Sequence, residues 1–291
     1  MARHATWAAL AVAMSVIVGC GPGKELPNAT PKAPDDSTPT TVKPAASESA
    51  AKAYIEKAVK AYTGGKPELV ARGKASRAVL KGKQHKLDDV PVQAVRNISA
   101  VWPDRYLDTD EQQIQERKGV VTAYLHRPNF IVVQGNAQQV LTDNAERERN
   151  FAADATGQHW MALLLPLTDP KAVVYDLQPS TFLPSGAAQA VAAHTLKLSL
   201  GEFPPYQLTF DAKTDFLVRV EYDYTHYGTP TRWTWTMTDH KVTPEGLFLP
   251  TKTELRFKTE LRSNSTVGEE WEVQKREFPE AIADAEFSPK K

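Results

Sequence analysis

Residues 206–224 read Tyr206-Gln-Leu-Thr-Phe-Asp-Ala-Lys-Thr-Asp-Phe-Leu-Val-Arg-Val-Glu-Tyr-Asp-Tyr224, and this stretch decides the fold. Apolar and polar side chains alternate on both sides of a short polar break at residues 211–215, as they do in the two strands of a hairpin. Further alternating runs follow as far as Phe278. This period of two predicts an antiparallel meander with one apolar face, which helices, a second sheet or a ligand must cover.

The later runs of this region are rich in aromatic residues at alternate positions, and they are separated by a predicted turn at Thr243-Pro-Glu-Gly246. If the runs are neighbouring strands, their bulky side chains share one face of the sheet. That face is either filled core or a concave apolar pocket for an acyl chain or another lipophile, and different residues of the same row can serve each purpose. The candidate ligand-contacting residues are Val220, Tyr222, Tyr224, Trp233, Trp235, Met237, Leu255, Phe257 and Trp271.

An ordered set of segments in this region resembles a known superfamily. The set comprises Phe210-Asp-x-x-Thr-x-x-Leu-Val-x-Val-Glu-Tyr222, a tryptophan-containing strand ending Thr238-Asp-His-Lys241, Gly246-Leu-x-x-Pro-Thr-Lys252, Glu269-Glu-Trp-Glu-Val273 and Phe287-Ser-Pro289. In this order the segments resemble the periplasmic lipoprotein-sorting (LolA/LolB-like) superfamily, especially its bacterial lipoprotein members. The resemblance covers residues 200–290 and continues more weakly over residues 50–166.

The resemblance implies an α+β fold, in which a strongly curved antiparallel sheet forms an incomplete β-barrel with helices packed on its concave side. It also implies lipid or lipoprotein handling in the bacterial envelope, by burial of acyl chains without covalent change. A lipid-anchored member would correspond to the membrane-tethered acceptor of that superfamily rather than to its soluble carrier.

The first nineteen residues are typical of a signal peptide. A polar start containing Arg3 precedes an apolar run over residues 5–18, which is too short to span a bilayer comfortably. The run ends Ile17-Val18-Gly19-Cys20, the pattern of a lipobox, in which cleavage leaves a lipidated Cys20 as the first residue. The alternative is a spanning anchor or an ordinary secretion signal that happens to end at the chain's single cysteine.

Residues 20–49 follow as a predicted disordered tether, because six prolines and many small polar residues leave little apolar surface to bury. Residues 50–291 then form the folded domain. The formal net charge of the whole chain is zero, and removal of residues 1–19 makes it −1, so no positive field favours nucleic acid. The predicted signal peptide and lipobox, together with the resemblance, imply an exported, periplasm-facing envelope protein that is anchored to the outer rather than the inner membrane.

Two helical regions are predicted. An amphipathic helix over Ala50–Tyr62 ends at Gly64-Gly65, and a second pattern begins near Asp143 and runs to Leu163, with Gly157 as a point of division. In the superfamily this second region packs over the sheet. The other predicted strands are Arg72–Lys81, Val90–Ala100, Arg105–Asp108, Gln112–Leu125, Phe130–Val133, Val173–Leu177 and Val191–Leu200.

No pattern of reactive side chains indicates catalysis. The seven histidines form no pair with zinc-ligand spacing, and neither a nucleophile elbow nor a phosphate loop is present. Asp239-His240-Lys241 is interpreted as a surface strand end, because adjacent strand residues point to opposite faces. We therefore expect no enzyme, no metal and no cofactor.

Three classes of function are considered, and an enzyme is the least favoured. Two others remain. The first is a membrane-tethered lipoprotein that binds lipid or lipoprotein acyl chains in an apolar cavity, with a role in lipoprotein sorting. The second is an envelope sensor or scaffold that uses the same fold to bind a protein partner. A cavity of several hundred Å3 would favour the first, and a filled core with an exposed apolar patch would favour the second.

Overall fold

The computed structural model describes residues 44–85, 91–114, 117–134, 137–140, 145–184, 187–226, 229–259 and 266–289. These residues form one antiparallel sheet of thirteen strands with helical segments on one face. The predicted signal peptide, Cys20 and most of the predicted tether lie outside the described residues.

The sheet consists of two meanders that meet in its middle. Strands β1 to β6 follow one another in space, as do β7 to β13, and the two meanders join through the pairing of β1 with β13. The edges are therefore β6 and β7. The strands are β1 (Ala75–His85), β2 (Pro91–Val101), β3 (Arg105–Ile114), β4 (Arg117–His126), β5 (Asn129–Gln134), β6 (Ala137–Val140), β7 (Ala172–Phe182), β8 (Val191–Leu200), β9 (Tyr206–Asp211), β10 (Leu217–His226), β11 (Thr229–Val242), β12 (Phe248–Thr259) and β13 (Thr266–Glu277).

A helical segment between the two edge strands lies across the apolar face. It contains α2 (Ala145–Ala155), a π-helical turn (Thr156–Trp160) and two 3-10 turns (Met161–Leu163 and Leu165–Thr168). We call residues 145–168 the helical cover. The division of the predicted helix falls at Thr156, next to the predicted Gly157.

The sheet is strongly curved, because the helical cover touches strands that a flat sheet would hold far apart. Trp160 packs on Tyr106 of β3, whereas Ala153 accepts a hydrogen bond from Tyr206 of β9. These strands are seven positions apart in the sheet. At a spacing of about 4.8 Å they would be about 34 Å apart if flat, and a helix is only about 10 Å wide. The predicted fold class, a curved open sheet with helices on its concave side, is confirmed.

The N-terminal helix, α1 (Pro44–Tyr62), covers the other part of the concave face. Tyr54 packs against His194 of β8 and Phe210 of β9, with ring centroids 5.0 and 5.5 Å apart. The helix begins six residues before the predicted Ala50. Proline is tolerated in a first helical turn, and the alanines after it are good helix formers, so the composition that indicated a tether also permits this extra turn.

Two predicted strand boundaries are wrong for local reasons. The predicted strand Gln112–Leu125 is divided between β3 and β4, and the chain reverses between Ile114 and Arg117 without a Gly, Pro, Asn or Asp to mark the turn. Residues 72–74, predicted as the start of a strand, belong to a 3-10 helix over Pro67–Lys74.

The turns predicted in the decisive region are present. The Asp211 carboxylate accepts hydrogen bonds from the backbone N–H groups of Lys213 and Thr214 at 2.8 and 2.9 Å, which closes the hairpin between β9 and β10. Gly246 has a φ of 90° and donates its N–H to the Thr243 carbonyl, so glycine is required at the end of that turn.

Candidate functional site

The nine residues predicted to contact an apolar ligand lie together on the concave face of β10 to β13. Val220 pairs with Trp235, and Tyr222 pairs with Trp233. Trp235 in turn pairs with Leu255 of β12. Since directly paired residues of an antiparallel ladder project to the same face, these side chains form a continuous row across neighbouring strands.

The row continues through the other predicted residues. Trp233 pairs with Phe257, and Met237 pairs with Thr253. Thr253 also pairs with Trp271 of β13. The sequence-based expectation that the aromatic residues share a face therefore agrees with the register of four strands.

The row is sealed in its centre and partly open at one end. Six of the nine side chains are at most 5% exposed, namely Val220, Tyr222, Trp235, Met237, Leu255 and Trp271. Tyr224, Trp233 and Phe257 are only partly buried. Trp233 stacks on Tyr224 with ring centroids 5.4 Å apart and packs at a tilt against Phe257 with centroids 5.8 Å apart. We call these three residues the aromatic rim. The centre of the row is thus filled core, and the rim is the part that a ligand could reach first.

Glycine allows the helical cover to lie directly on the row. A Cβ atom at Gly157 would fall 2.6 Å from Cε1 of Tyr222, which is closer than any real contact of that kind. The cover therefore meets the sheet at this point without a side chain of its own. The whole π-helical turn, from Thr156 to Trp160, is buried.

Asp154 connects the cover to the rim through two tyrosines. The hydroxyl of Tyr222 donates to one carboxylate oxygen at 2.6 Å, and that of Tyr224 donates to the other at 2.9 Å. Trp235 Nε1 then donates to the Tyr222 hydroxyl at 3.1 Å. Burial raises the pKa of Asp154 to about 7, although the two tyrosine hydrogen bonds act to lower it. The sequence signal that we missed is a single acid within the run Ala152-Ala-Asp-Ala155.

A second polar group lies on the same face, around Arg96 of β2. This guanidinium is 5% exposed and contacts Asp108 at 3.4 Å, Asp110 at 2.8 Å and Glu269 at 2.9 Å. Burial alone would lower the pKa of Arg96, but the three acids raise it above its usual value. The guanidinium also stacks on the Trp271 ring at 4.4 Å. Its signal in the sequence is an arginine at an inward position of an otherwise apolar series, Val92, Ala94, Arg96 and Ile98.

The helical cover reaches the Arg96 group through Gln158. The Gln158 amide oxygen accepts a hydrogen bond from Arg96 at 3.4 Å, whereas its amide nitrogen has no hydrogen-bond partner among the described residues. Burial raises the pKa of Asp108, and Arg96 opposes that rise. The cover thus rests on charged and polar groups at this point and on aromatic rings at Tyr222.

Two further polar contacts hold the cover. His159 shares a hydrogen bond with Ser76 of β1 at 2.9 Å, and burial lowers the pKa of His159 to about 3. At the start of α2, Glu148 pairs with Arg127 at 2.5 Å. The cover is therefore fixed by a small number of specific polar contacts in addition to its apolar packing.

His240 has a different environment from the one predicted. It stacks on Phe216 with ring centroids 4.7 Å apart and lies 3.2 Å from the Tyr62 hydroxyl. Burial lowers its pKa to about 4. The interpretation of residues 239–241 as a surface strand end is therefore wrong for His240, because Asp239 has a positive φ of 60° that interrupts the alternation. Asp239 itself pairs with Lys252 at 3.2 Å.

Within the described ranges, no group of three or more His, Cys, Asp or Glu side chains is arranged to hold a metal ion. A search of the same part of the chain finds no helix with the length and apolar character needed to cross a membrane.

Comparison with solved structures finds similar chains of low sequence identity. An outer membrane lipoprotein-sorting protein domain from Vibrio parahaemolyticus is 10% identical and aligns over 82% of this chain and 97% of its own, with a TM-score of 0.48. A LolA superfamily protein from Nitrosomonas europaea is 11% identical over the same shares, with a TM-score of 0.47. MucB in complex with periplasmic MucA is 8% identical and aligns over 77% of this chain and 93% of its own, with a TM-score of 0.18. No protein-family model matches the sequence, and no curated protein sequence matches it.

Proposed function

We propose that this chain is a lipid-anchored protein of the bacterial envelope that binds an acyl chain without covalent change. The acyl chain enters at the aromatic rim. The helical cover moves aside as the acyl chain extends along the row of apolar residues. Cys20 carries the anchor, and residues 21–43 connect it to the folded domain. The acyl chain belongs to a lipid or to a lipoprotein in transit.

The observation that carries this proposal is the continuity between the rim and the sealed centre of the row. Tyr224 and Trp233 are partly buried, whereas the neighbouring Tyr222 and Trp235 are buried, and the cover lies directly against Tyr222 at Gly157. A ligand that replaces the cover would therefore meet an apolar surface that already extends inward from the rim.

The energetics of such an exchange are favourable for an acyl chain. Each methylene group that leaves water contributes about 0.8 kcal/mol, so a chain of ordinary length offsets the loss of several contacts. The polar contacts of the cover, such as Asp154 with Tyr222 and Gln158 with Arg96, can be replaced by water when the cover moves. The apolar row itself needs a new apolar partner, and the acyl chain supplies one.

Titration with a fluorescent acyl chain that carries no charged head tests the proposal. Wild type should bind the probe, and Trp233→Ala should bind it at least about tenfold more weakly, because a large apolar contact is lost at the entrance. Leu183→Ala removes an exposed apolar side chain elsewhere and should leave binding unchanged. Native mass spectrometry of the purified protein should also reveal co-purified lipid. If the folded wild type binds no probe and carries no lipid, the acyl-chain proposal fails.

The anchor has its own test. Replacement of Cys20 by serine removes the thiol that accepts the lipid, so the variant should incorporate no radiolabelled palmitate in cells. Equal labelling of wild type and Cys20→Ser would contradict the lipobox interpretation, without bearing on the acyl-chain site.

One observation favours the second candidate, binding of a protein partner. Val173, Leu183 and Val191 are 46%, 53% and 37% exposed on the edge hairpin of β7 and β8. Apolar side chains beside an edge strand suit addition of a partner segment. In that case Leu183→Asp should abolish the complex while acyl-chain binding at the rim remains intact.

A further inference from the structure

A cleft of about 700 Å3 lies at the opposite end of the barrel from the aromatic rim. Residues of four segments line it: the end of the Pro67–Lys74 helix, the start of β1, the turn between β2 and β3, and residues 278–282. Its volume is within the range of small-molecule sites, about 300–1,000 Å3. Trp102 marks this end of the strands, because its backbone N–H bonds to the Lys74 carbonyl just before β1 begins.

Part of the cleft lining, which we call its base, is apolar and firmly supported. Val101, Trp102, Phe278 and Ile282 form this part of the lining. Ile282 is 5% exposed and belongs to a small separate core. The Trp102 ring packs edge-on against Trp160 of the helical cover at 5.1 Å, and Trp160 is fully buried. The base therefore presents an aromatic surface that is already held in position.

The charged side chains of the cleft lining are mostly cationic. They are Arg72, Lys74 and Arg105, against the single carboxylate of Glu280. Arg105 is engaged by Asp284 and by Asp104. Arg72 and Lys74, in contrast, have no ion-pair partner among the described residues. Two exposed cations beside an aromatic base complement a ligand that is anionic at one end and apolar at the other.

We propose that this cleft binds an amphiphile with one anionic head, a carboxylate or a phosphate. Arg72 and Lys74 contact the head, and the apolar part lies against Trp102 and Ile282. The inference does not rest on the proposed function, because the cleft lies at the other end of the strands from Trp233 and its lining shares no residue with the candidate row. An occupied cleft would nevertheless touch Trp102, whose ring supports Trp160 of the helical cover.

Calorimetric titration of the purified full chain with dodecyl phosphate and with laurate, below their micelle concentrations, tests the proposal. Both should bind, and Arg72→Ala/Lys74→Ala should weaken binding by about tenfold, as loss of two exposed charge contacts would. Lys60→Ala/Lys66→Ala removes two exposed cations that precede the Pro67–Lys74 helix and lie outside the cleft lining. This control should change the affinity by less than about twofold. Circular dichroism establishes that each variant is folded.

Two further ligands make the outcome decisive. Inorganic phosphate should bind much more weakly than dodecyl phosphate, because it cannot use the apolar base. Dodecyl maltoside, which has a neutral head, should not distinguish the Arg72→Ala/Lys74→Ala variant from wild type. Equal binding of inorganic and dodecyl phosphate, or no effect of removing Arg72 and Lys74, would overturn the proposal. Trp233→Ala should leave binding of dodecyl phosphate at this cleft intact. Failure of the cleft proposal can therefore be distinguished from failure of the acyl-chain proposal.

Discussion

At the scale of single residues, the site depends on polar groups placed among apolar ones. Asp154 lies between two tyrosine hydroxyls on the surface that the helical cover shares with the rim. Arg96 lies among three acids on the same concave face. Both are costly to bury, so each contributes stability only while its partners remain in place.

Asp154 should make stability depend on pH. Its pKa is raised from about 3.9 in an unfolded chain to about 7 in the folded protein. The folded state therefore holds the proton more tightly, and this contribution is full below about pH 4, declines as the pH rises towards 7 and is absent above it. The slope is at most about 1.4 kcal/mol per pH unit.

Urea unfolding of wild type and Asp154→Asn at several pH values measures this contribution. Asparagine has nearly the same shape as aspartate and can still hydrogen-bond, but it cannot ionise. The free energy of unfolding of Asp154→Asn, relative to that of wild type, should therefore increase between pH 5 and pH 7. His159, with its pKa lowered to about 3, changes stability in the opposite direction in acid and is common to both proteins. A constant difference between the two proteins across this range would show that Asp154 is not perturbed.

Arg96 provides the second residue-scale prediction. Arg96→Met leaves the partly buried acids Asp108, Asp110 and Glu269 together without a cation. This change should lower the free energy of unfolding by about 3–5 kcal/mol at neutral pH. The exposed pair of Arg232 with Asp223 is the matched control, and Arg232→Met should cost no more than about 1 kcal/mol. The loss at Arg96 should diminish in acid as the carboxylates take up protons. Similar losses for both variants would contradict the account of the buried cluster.

The residues of the row could be predicted, whereas their polar partners could not. Alternation alone places Tyr222, Trp233 and Trp235 on one strand face, since it depends only on neighbours in sequence. The contacts of Asp154 with Tyr222 and Tyr224 join positions 68 and 70 residues apart, and only the packing of the helical cover on the sheet determines them.

At the scale of elements, the helical cover is the part of the fold that must move if the proposed acyl-chain site is to open. It connects the two edge strands, crosses the concave face and lies directly against Tyr222 at Gly157. The helical pattern with a break near Gly157 predicted the helix, and the resemblance to the superfamily implied that it packs over the sheet. The reversal between β3 and β4 was not predicted, because strand pairing there overrides the absence of turn-forming residues.

Gly157 tests the closeness of the cover. In Gly157→Ala the new methyl group would overlap the Tyr222 ring, so the cover must move, and we expect a loss of about 1–3 kcal/mol in the free energy of unfolding. The same variant should bind the uncharged acyl probe more tightly, because the closed state is weakened. Gly119→Ala in β4 meets no atom within 4 Å and serves as the control. Unchanged stability of Gly157→Ala would mean that the cover does not lie against Tyr222.

At the scale of the whole molecule, an open curved sheet creates a concave face that something must cover. Closure into a complete barrel would remove the edges, but here β6 and β7 remain edges and the helical segments occupy the interior. The period-two runs predicted an antiparallel meander with one apolar face, and two patterns predicted the helices. The curvature of the sheet and the place of the helices on its concave side were implied by the resemblance to the superfamily. The extent to which the concave face is filled did not follow, because alternation cannot show how closely a helix approaches a sheet.

The central claim is that an acyl chain takes the place of the helical cover on the concave face. Hydrogen exchange of the full chain, measured by mass spectrometry with and without saturating uncharged acyl probe, tests it most directly. Amides of residues 145–168 should exchange faster when the probe is bound, while those of β10 to β12 remain protected. Binding of the probe with unchanged or slower exchange throughout the cover would contradict the claim.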